Sequence, residues 1–201
     1  MIVLAAATAD EGTAELAREL GELGPLVVLS GEGPDLGGLP VVRADLTTPE
    51  GAADAWLVAE KEYGSGDVLV TLPAAPPEPA TFTETSNETW ASLLRDHLFL
   101  AANTARVAAP AMVDRGGGAI AMVTWQTDAV PGHVAMATVC GAVAHLARTL
   151  ASEVGENGIT VNAFSVPVGI PADAAPAIRL VCSPDGGYLT SESLTVAGAG
   201  S

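Results

Sequence analysis

Residues 134–166 read VAMATVCGAVAHLARTLASEVGENGITVNAFSV, and the way this stretch changes period decides the fold. From about Ala135 to Val154 apolar side chains, Val139 and Val143 among them, return every three to four positions, the spacing of a helix with one buried face. Gly155 and Gly158 punctuate the chain, and Ile159 to Ser165 then form a short apolar run of the kind that makes a buried strand. A long helix running straight into a buried strand is the crossover unit of a parallel sheet covered on both faces.

The same alternation extends outward in both directions. Ile2–Ala5, Leu26–Leu29, Val41–Ala44, Asp67–Leu72 and Ala119–Thr124 read as strands, and Tyr188–Val196 as a last one. Helices are expected from Thr13 to Leu23, from Pro49 to Tyr63 after Thr48, and from about Asn87 to Met112, the longest, which is rich in alanine on its later turns. Residues 30–40, SGEGPDLGGLP, hold four glycines and two prolines, so a loop and not a helix joins the second strand to the third. Residues 73–79, PAAPPEP, form a stiff extended connection. Strands alternating with helices predict a three-layer, doubly wound α/β fold in one domain spanning residues 1–201.

Composition narrows the function. The chain has 201 residues, 49% of them hydrophobic, and a net charge of -16 from 24 acidic and 8 basic side chains. That charge argues against long-range attraction to nucleic acid or an anionic membrane surface. Cys140 and Cys182 lack metal-ligand spacing, so no metal site is expected and a reduced, cytoplasmic chain is the default. The first residues, MIVLAAATADE, suit a strand better than a signal peptide, and no apolar run is expected to span a membrane.

Several segments together resemble the short-chain dehydrogenase/reductase family, over nearly the whole chain and most closely from Trp90 to Ser165. Arg148-Thr149-Leu150-Ala151, Glu153, Gly158-Ile159 and Val161-Asn162-Ala163 sit where the family's RTLA, E, GI and VNA segments sit. Asp67-Val68-Leu69-Val70 resembles its DILV strand, and Asp45-Leu46-Thr47 its D-x-T turn, where the acid lies near the adenine. The register then places Met136 and Cys140 on the family's Tyr-x-x-x-Lys. A thioether has no proton to give, and a neutral thiol does not replace the ammonium that lowers a tyrosine pKa. The helix asparagine falls on His97, and the serine near Thr124 or Trp125.

The dinucleotide loop departs as well. The family's TGxxxGIG falls on residues 6–13, so its three glycines become Ala7, Glu11 and Thr13, and Asp10 and Glu11 bring negative charge to the place of a pyrophosphate. The NNAG turn falls on Thr71-Leu72-Pro73-Ala74. Glu32, after the second strand, is positioned for a ribose, and Asp45 is retained. The second helix is reduced to the loop at residues 30–40 and the substrate lid to about Pro167–Ala172, while the YITG and VDGG segments survive in residues 185–198.

These departures imply that nicotinamide dinucleotide binding is lost and that no cofactor is held. The resemblance then implies a non-catalytic subunit, pairing its two long helices with those of an active short-chain dehydrogenase, or with itself, in a four-helix interface. A non-redox isomerase, cyclase or lyase using His97, His133, Thr124 or Trp125 is the alternative. A divergent oxidoreductase comes third. Trp125, Met136 and Phe164 suggest an apolar pocket for a small ligand, although core packing accounts for them equally. His145 is expected on the subunit-contact side of its helix.

Overall fold

The structure, a computed structural model, describes residues 1–31, 33–127 and 130–196. Seven parallel strands form one sheet in the order β3-β2-β1-β4-β5-β6-β7. They are β1 (Ile2–Ala6), β2 (Leu26–Ser30), β3 (Val41–Arg43), β4 (Val68–Leu72), β5 (Gly118–Trp125), β6 (Ile159–Val166) and β7 (Ser193–Thr195). The helices are α1 (Glu11–Leu20), α2 (Pro49–Tyr63), α3 (Asn87–Leu93), α4 (Leu100–Arg115), α5 (Val134–Val154) and α6 (Ala175–Cys182). The α/β doubly wound fold expected from the alternation is the one found.

Side-chain alternation along the strands makes two cores. Ile2, Leu4 and Ala6 face α1 and α6, while Val3 and Ala5 face α2, α4 and α5, as the period of two in a strand requires. Both faces are buried, which is why β1 and β2 read as unbroken apolar runs.

Three local outcomes differ from expectation. The helix expected over residues 87–112 is interrupted by a π-helical turn, Leu94–Phe99, between α3 and α4. The last strand shrinks to Ser193–Thr195, because Ser191 takes a left-handed φ of 67° and turns the chain just before it. The helical span Val134–Asn157 is long and apolar enough, by length and composition, to cross a membrane. That corrects the expectation that no run has such length; in the fold α5 lies against β5 and β6.

Among the described residues no helix lies between β2 and β3. In its place the loop after Ser30 is held to β3 by Arg43, whose guanidinium donates to the carbonyls of Gly31 (3.0 Å), Gly33 (3.0 Å) and Pro34 (2.8 Å). Leu36 in this loop is buried and covers part of the sheet face left without a helix.

Candidate functional site

The strand order reverses between β1 and β4, and crevices for ligands form outside the carboxyl ends of strands at such a switch point. Two cavities lie there. One, of about 200 Å³, is lined by residues that include Ala7, Gly31, Asp45, Ala74, Asp96 and Leu100. The other, of about 290 Å³, is lined by residues that include Asp10, Glu11, Leu72, Pro73, Trp125 and Pro171. Thr8 lines both, so they are two halves of one cleft.

The first half is shaped by the turn after β3. The Asp45 carboxylate accepts from the Thr47 amide (3.0 Å) and hydroxyl (2.7 Å), and the Thr48 hydroxyl donates to the Asp45 carbonyl while capping α2 at the Gly51 amide. These bonds fix Asp45 at the cavity wall. Asp96, within the π-helical turn, lines the same cavity. Its carboxyl is raised above the usual range by burial, opposed by Arg95 and reinforced by the charge of Asp45. Asp96 as a cavity residue was not visible in the sequence, where the residues around it read as one regular helix.

The second half is dominated by the start of α1. Asp10 caps that helix, its carboxylate accepting from the Thr13 amide (2.8 Å) and from the Thr8 hydroxyl (2.9 Å). The Thr13 hydroxyl donates to the Thr8 carbonyl (2.7 Å), so the turn is closed on itself. A Cβ on Gly12 would stand 3.1 Å from Pro171, which shows how closely the shortened lid rests on this turn. Ala7 lines the first cavity, and Glu11 and Thr13 line the second.

Of the positions expected for the family's proton relay, Met136, Cys140 and Thr124 do not line the two cavities. Met136 is 1% exposed and Cys140 7%, both within a buried apolar cluster. The Thr124 hydroxyl donates to the Phe164 carbonyl across the sheet (3.2 Å), and Phe164 is fully buried. Trp125 does reach the cleft, and its indole N–H donates to the Ala74 carbonyl (2.6 Å). His133 sits at the N-terminus of α5 and lines a crevice of about 20 Å³ with Met136.

His97 is 3% exposed, and neither ring nitrogen has a hydrogen-bond partner of full geometry. Burial holds its pKa down to about 4, against the smaller pull of the nearby Leu93 and Ala74 carbonyls, so the ring is neutral in ordinary buffers. Asp96 and His97, adjacent in sequence, point to different surroundings. His145 is exposed, as expected for the outer side of α5. Glu32 and residues 197–198 of the VDGG-like segment lie outside the described residues. Among the described residues no cluster of metal-ligating side chains occurs.

Comparison with known proteins fits this architecture. Residues 29–179 match the profile of the enoyl-(acyl carrier protein) reductase family. Dehydrogenase/reductase SDR family member 4 of Bos taurus is 24% identical over 174 residues, covering 70% of this chain and 61% of the relative. The short-chain reductase NovJ of Streptomyces niveus is 25% identical over 193 residues, 78% of this chain and 72% of NovJ. The chain therefore spans roughly three fifths to three quarters of these relatives.

Among solved structures, the hydroxysteroid dehydrogenase from Escherichia coli aligns with a TM-score of 0.83 at 24% identity, covering 98% of this chain and 96% of the other. ElxO with NADP bound aligns with a TM-score of 0.87 at 18% identity over the same shares. This likeness corrects the expectation that dinucleotide binding is lost, since a neighbour superposing on 98% of the chain carries NADP. The expectation rested on the departures of the glycine loop and the NNAG turn and on the reduced second helix and lid. The first half of the cleft takes part of its wall from the glycine-loop segment, at Ala6, Ala7 and Thr8, and the rest from residues that include Gly31, Asp45, Ala74 and Leu100.

Proposed function

We propose that this chain, which belongs to the short-chain dehydrogenase/reductase family, is a dinucleotide-binding but non-catalytic subunit that assembles in the cytoplasm with an active chain of the same family. The interface is formed by α4 and α5. What carries the non-catalytic reading is the place of Met136 and Cys140, buried in apolar packing where the family has its tyrosine and lysine. Native mass spectrometry of complexes drawn from the source cell tests it. The chain is expected in fixed stoichiometry with an active short-chain dehydrogenase, and its recovery from the cell only with itself sinks the proposal.

The residues of the cleft fit NAD(P) in its adenosine half. A cavity of about 200 Å³ has Asp45 at its wall to accept from an amino group of the base, with Ala7, Ala74 and Leu100 as apolar surfaces. When bound, the dinucleotide supplies a hydride carrier. At the diphosphate the Asp10 carboxylate already occupies the Thr13 amide and repels an anion. Asp10→Asn keeps a competent helix cap and removes the charge. It is expected to tighten NADP binding on the order of tenfold in a calorimetric titration. An unchanged affinity means that the phosphates do not approach α1.

A second reading is favoured by the walls of the other half. Leu72, Pro73, Ala75, Trp125, Val168 and Pro171 give the cavity of about 290 Å³ an apolar lining suited to a small apolar ligand.

A further inference from the structure

The second half of the cleft is amphipathic. Leu72, Pro73, Val168 and Pro171 give it apolar walls, and Trp125 lies among them. The indole N–H is bonded to the Ala74 carbonyl, so Trp125 is fixed and offers the cavity only its carbon surface. Asp10 and Glu11, at the start of α1, line the same cavity. Its volume of about 290 Å³ sits at the small end of the range for ligand pockets.

The charged side chains lining the two halves are all carboxylates: Asp10 and Glu11 in the second, Asp45 and Asp96 in the first. No Lys, Arg or His among the described residues lines either cavity, and neither Asp10 nor Glu11 forms an ion pair among them. The start of a helix carries about half a positive charge, which the Asp10 cap alone offsets. Glu11 is a further, exposed negative charge at the same place. A cleft with apolar walls and charge of one sign concentrates molecules of the opposite sign.

We infer that the second half of the cleft binds a small organic cation, a primary amine on an apolar body, with its ammonium at Asp10 and Glu11 and its body against Trp125, Leu72, Pro73 and Pro171. An anion is repelled there, and a neutral apolar molecule leaves both carboxylates without a counter-charge. A bare metal ion gains nothing from the apolar walls. It also needs about six or more oxygen ligands, whereas both Asp10 oxygens are engaged by the Thr13 amide and the Thr8 hydroxyl. The inference deepens the small-ligand reading of this half, on which it rests, and does not depend on where adenosine sits. One substitution then acts in opposite directions on two ligands: Asp10→Asn helps a diphosphate and weakens an ammonium.

Calorimetric titration of the purified chain with phenethylamine and with phenethyl alcohol, which differ only in the head group, tests the charge. The amine is expected to bind more tightly than the alcohol on the order of tenfold, since each exposed carboxylate contributes a factor of a few. In the double variant Asp10→Asn/Glu11→Gln that advantage should shrink to about twofold or less, with the affinity of the alcohol unchanged. Asparagine keeps the helix cap, and the alcohol titration shows that the variant is folded. Added salt should weaken the amine and spare the alcohol. An alcohol that binds as tightly as the amine, or an advantage that survives the double substitution, overturns the inference and leaves this half an apolar pocket. Failure of both probes to bind overturns the inference together with the small-ligand reading.

Discussion

Gly51→Ala is expected to lower the melting temperature by about 6 °C, although alanine is the better helix former. Gly51 lies in the first turn of α2, and a Cβ there would stand 2.1 Å from the Asp45 carbonyl oxygen and 2.9 Å from the Thr48 hydroxyl. Helix propensity favours alanine by about 1 kcal/mol. Displacing a packed backbone turn costs roughly 3 kcal/mol, so the clash wins by about 2 kcal/mol. The displaced turn carries Asp45, and NADP affinity should fall with the melting temperature. Gly21→Ala is the control, because nothing lies within 4 Å of its Cβ position and its φ is -60°. It is expected to leave stability unchanged or slightly raised. If Gly51→Ala melts no lower than the wild type, the Asp45 turn is not the rigid wall described above.

Acid should destabilise the chain through His97, and by a larger amount. The buried ring has a pKa of about 4 against 6.5 for an exposed histidine. As pH falls below about 6.5 the unfolded chain takes up a proton that the folded chain refuses until about 4. The contribution is therefore complete above pH 6.5 and drains away between 6.5 and 4, reaching about 3 kcal/mol in total and about 2 kcal/mol by pH 5. Urea unfolding of wild type and His97→Asn at pH 7.5, 6 and 5 isolates the effect, because the carboxylates titrate alike in both. The gap between the two proteins should move in favour of asparagine by about 2 kcal/mol over that range. A gap that does not move with pH means that His97 is hydrated or paired in solution.

Much of the fold was legible because the signals that fix it are local. Apolar period and the Gly and Pro punctuation placed every strand and most helices, and the resemblance around residues 148–163 placed α5 and β6 in order. The π-helical turn at residues 94–99, where Asp96 lines the cleft and His97 is buried, has no signature of its own in LLRDHLF. The cleft itself was half legible. The start of α1 is a contiguous motif, so its departures could be read directly, and Asp10 does cap the helix. The smaller cavity draws its walls from segments far apart in sequence, around positions 6–8, 31, 45–47, 74 and 96–100. Asp45, Ala7 and Ala74 fall in motif segments the resemblance marked, whereas Asp96 and Leu100 do not, and judging the cofactor by the departures from the family's motifs gave the wrong expectation. Thr124 failed differently: the sequence supplied a hydroxyl at the right position, and the sheet turned it toward a carbonyl of β6.

Both outermost strands, β3 and β7, are only three residues long. Each therefore offers few unpaired backbone groups to another chain, and β3 is entered from Pro40, which has no N–H to give, and ends on the charged Arg43. Strand-to-strand addition, the usual route by which an exposed sheet edge nucleates aggregates, has little to build on at either end. A chain with a shortened sheet margin thus stays protected from runaway polymerisation.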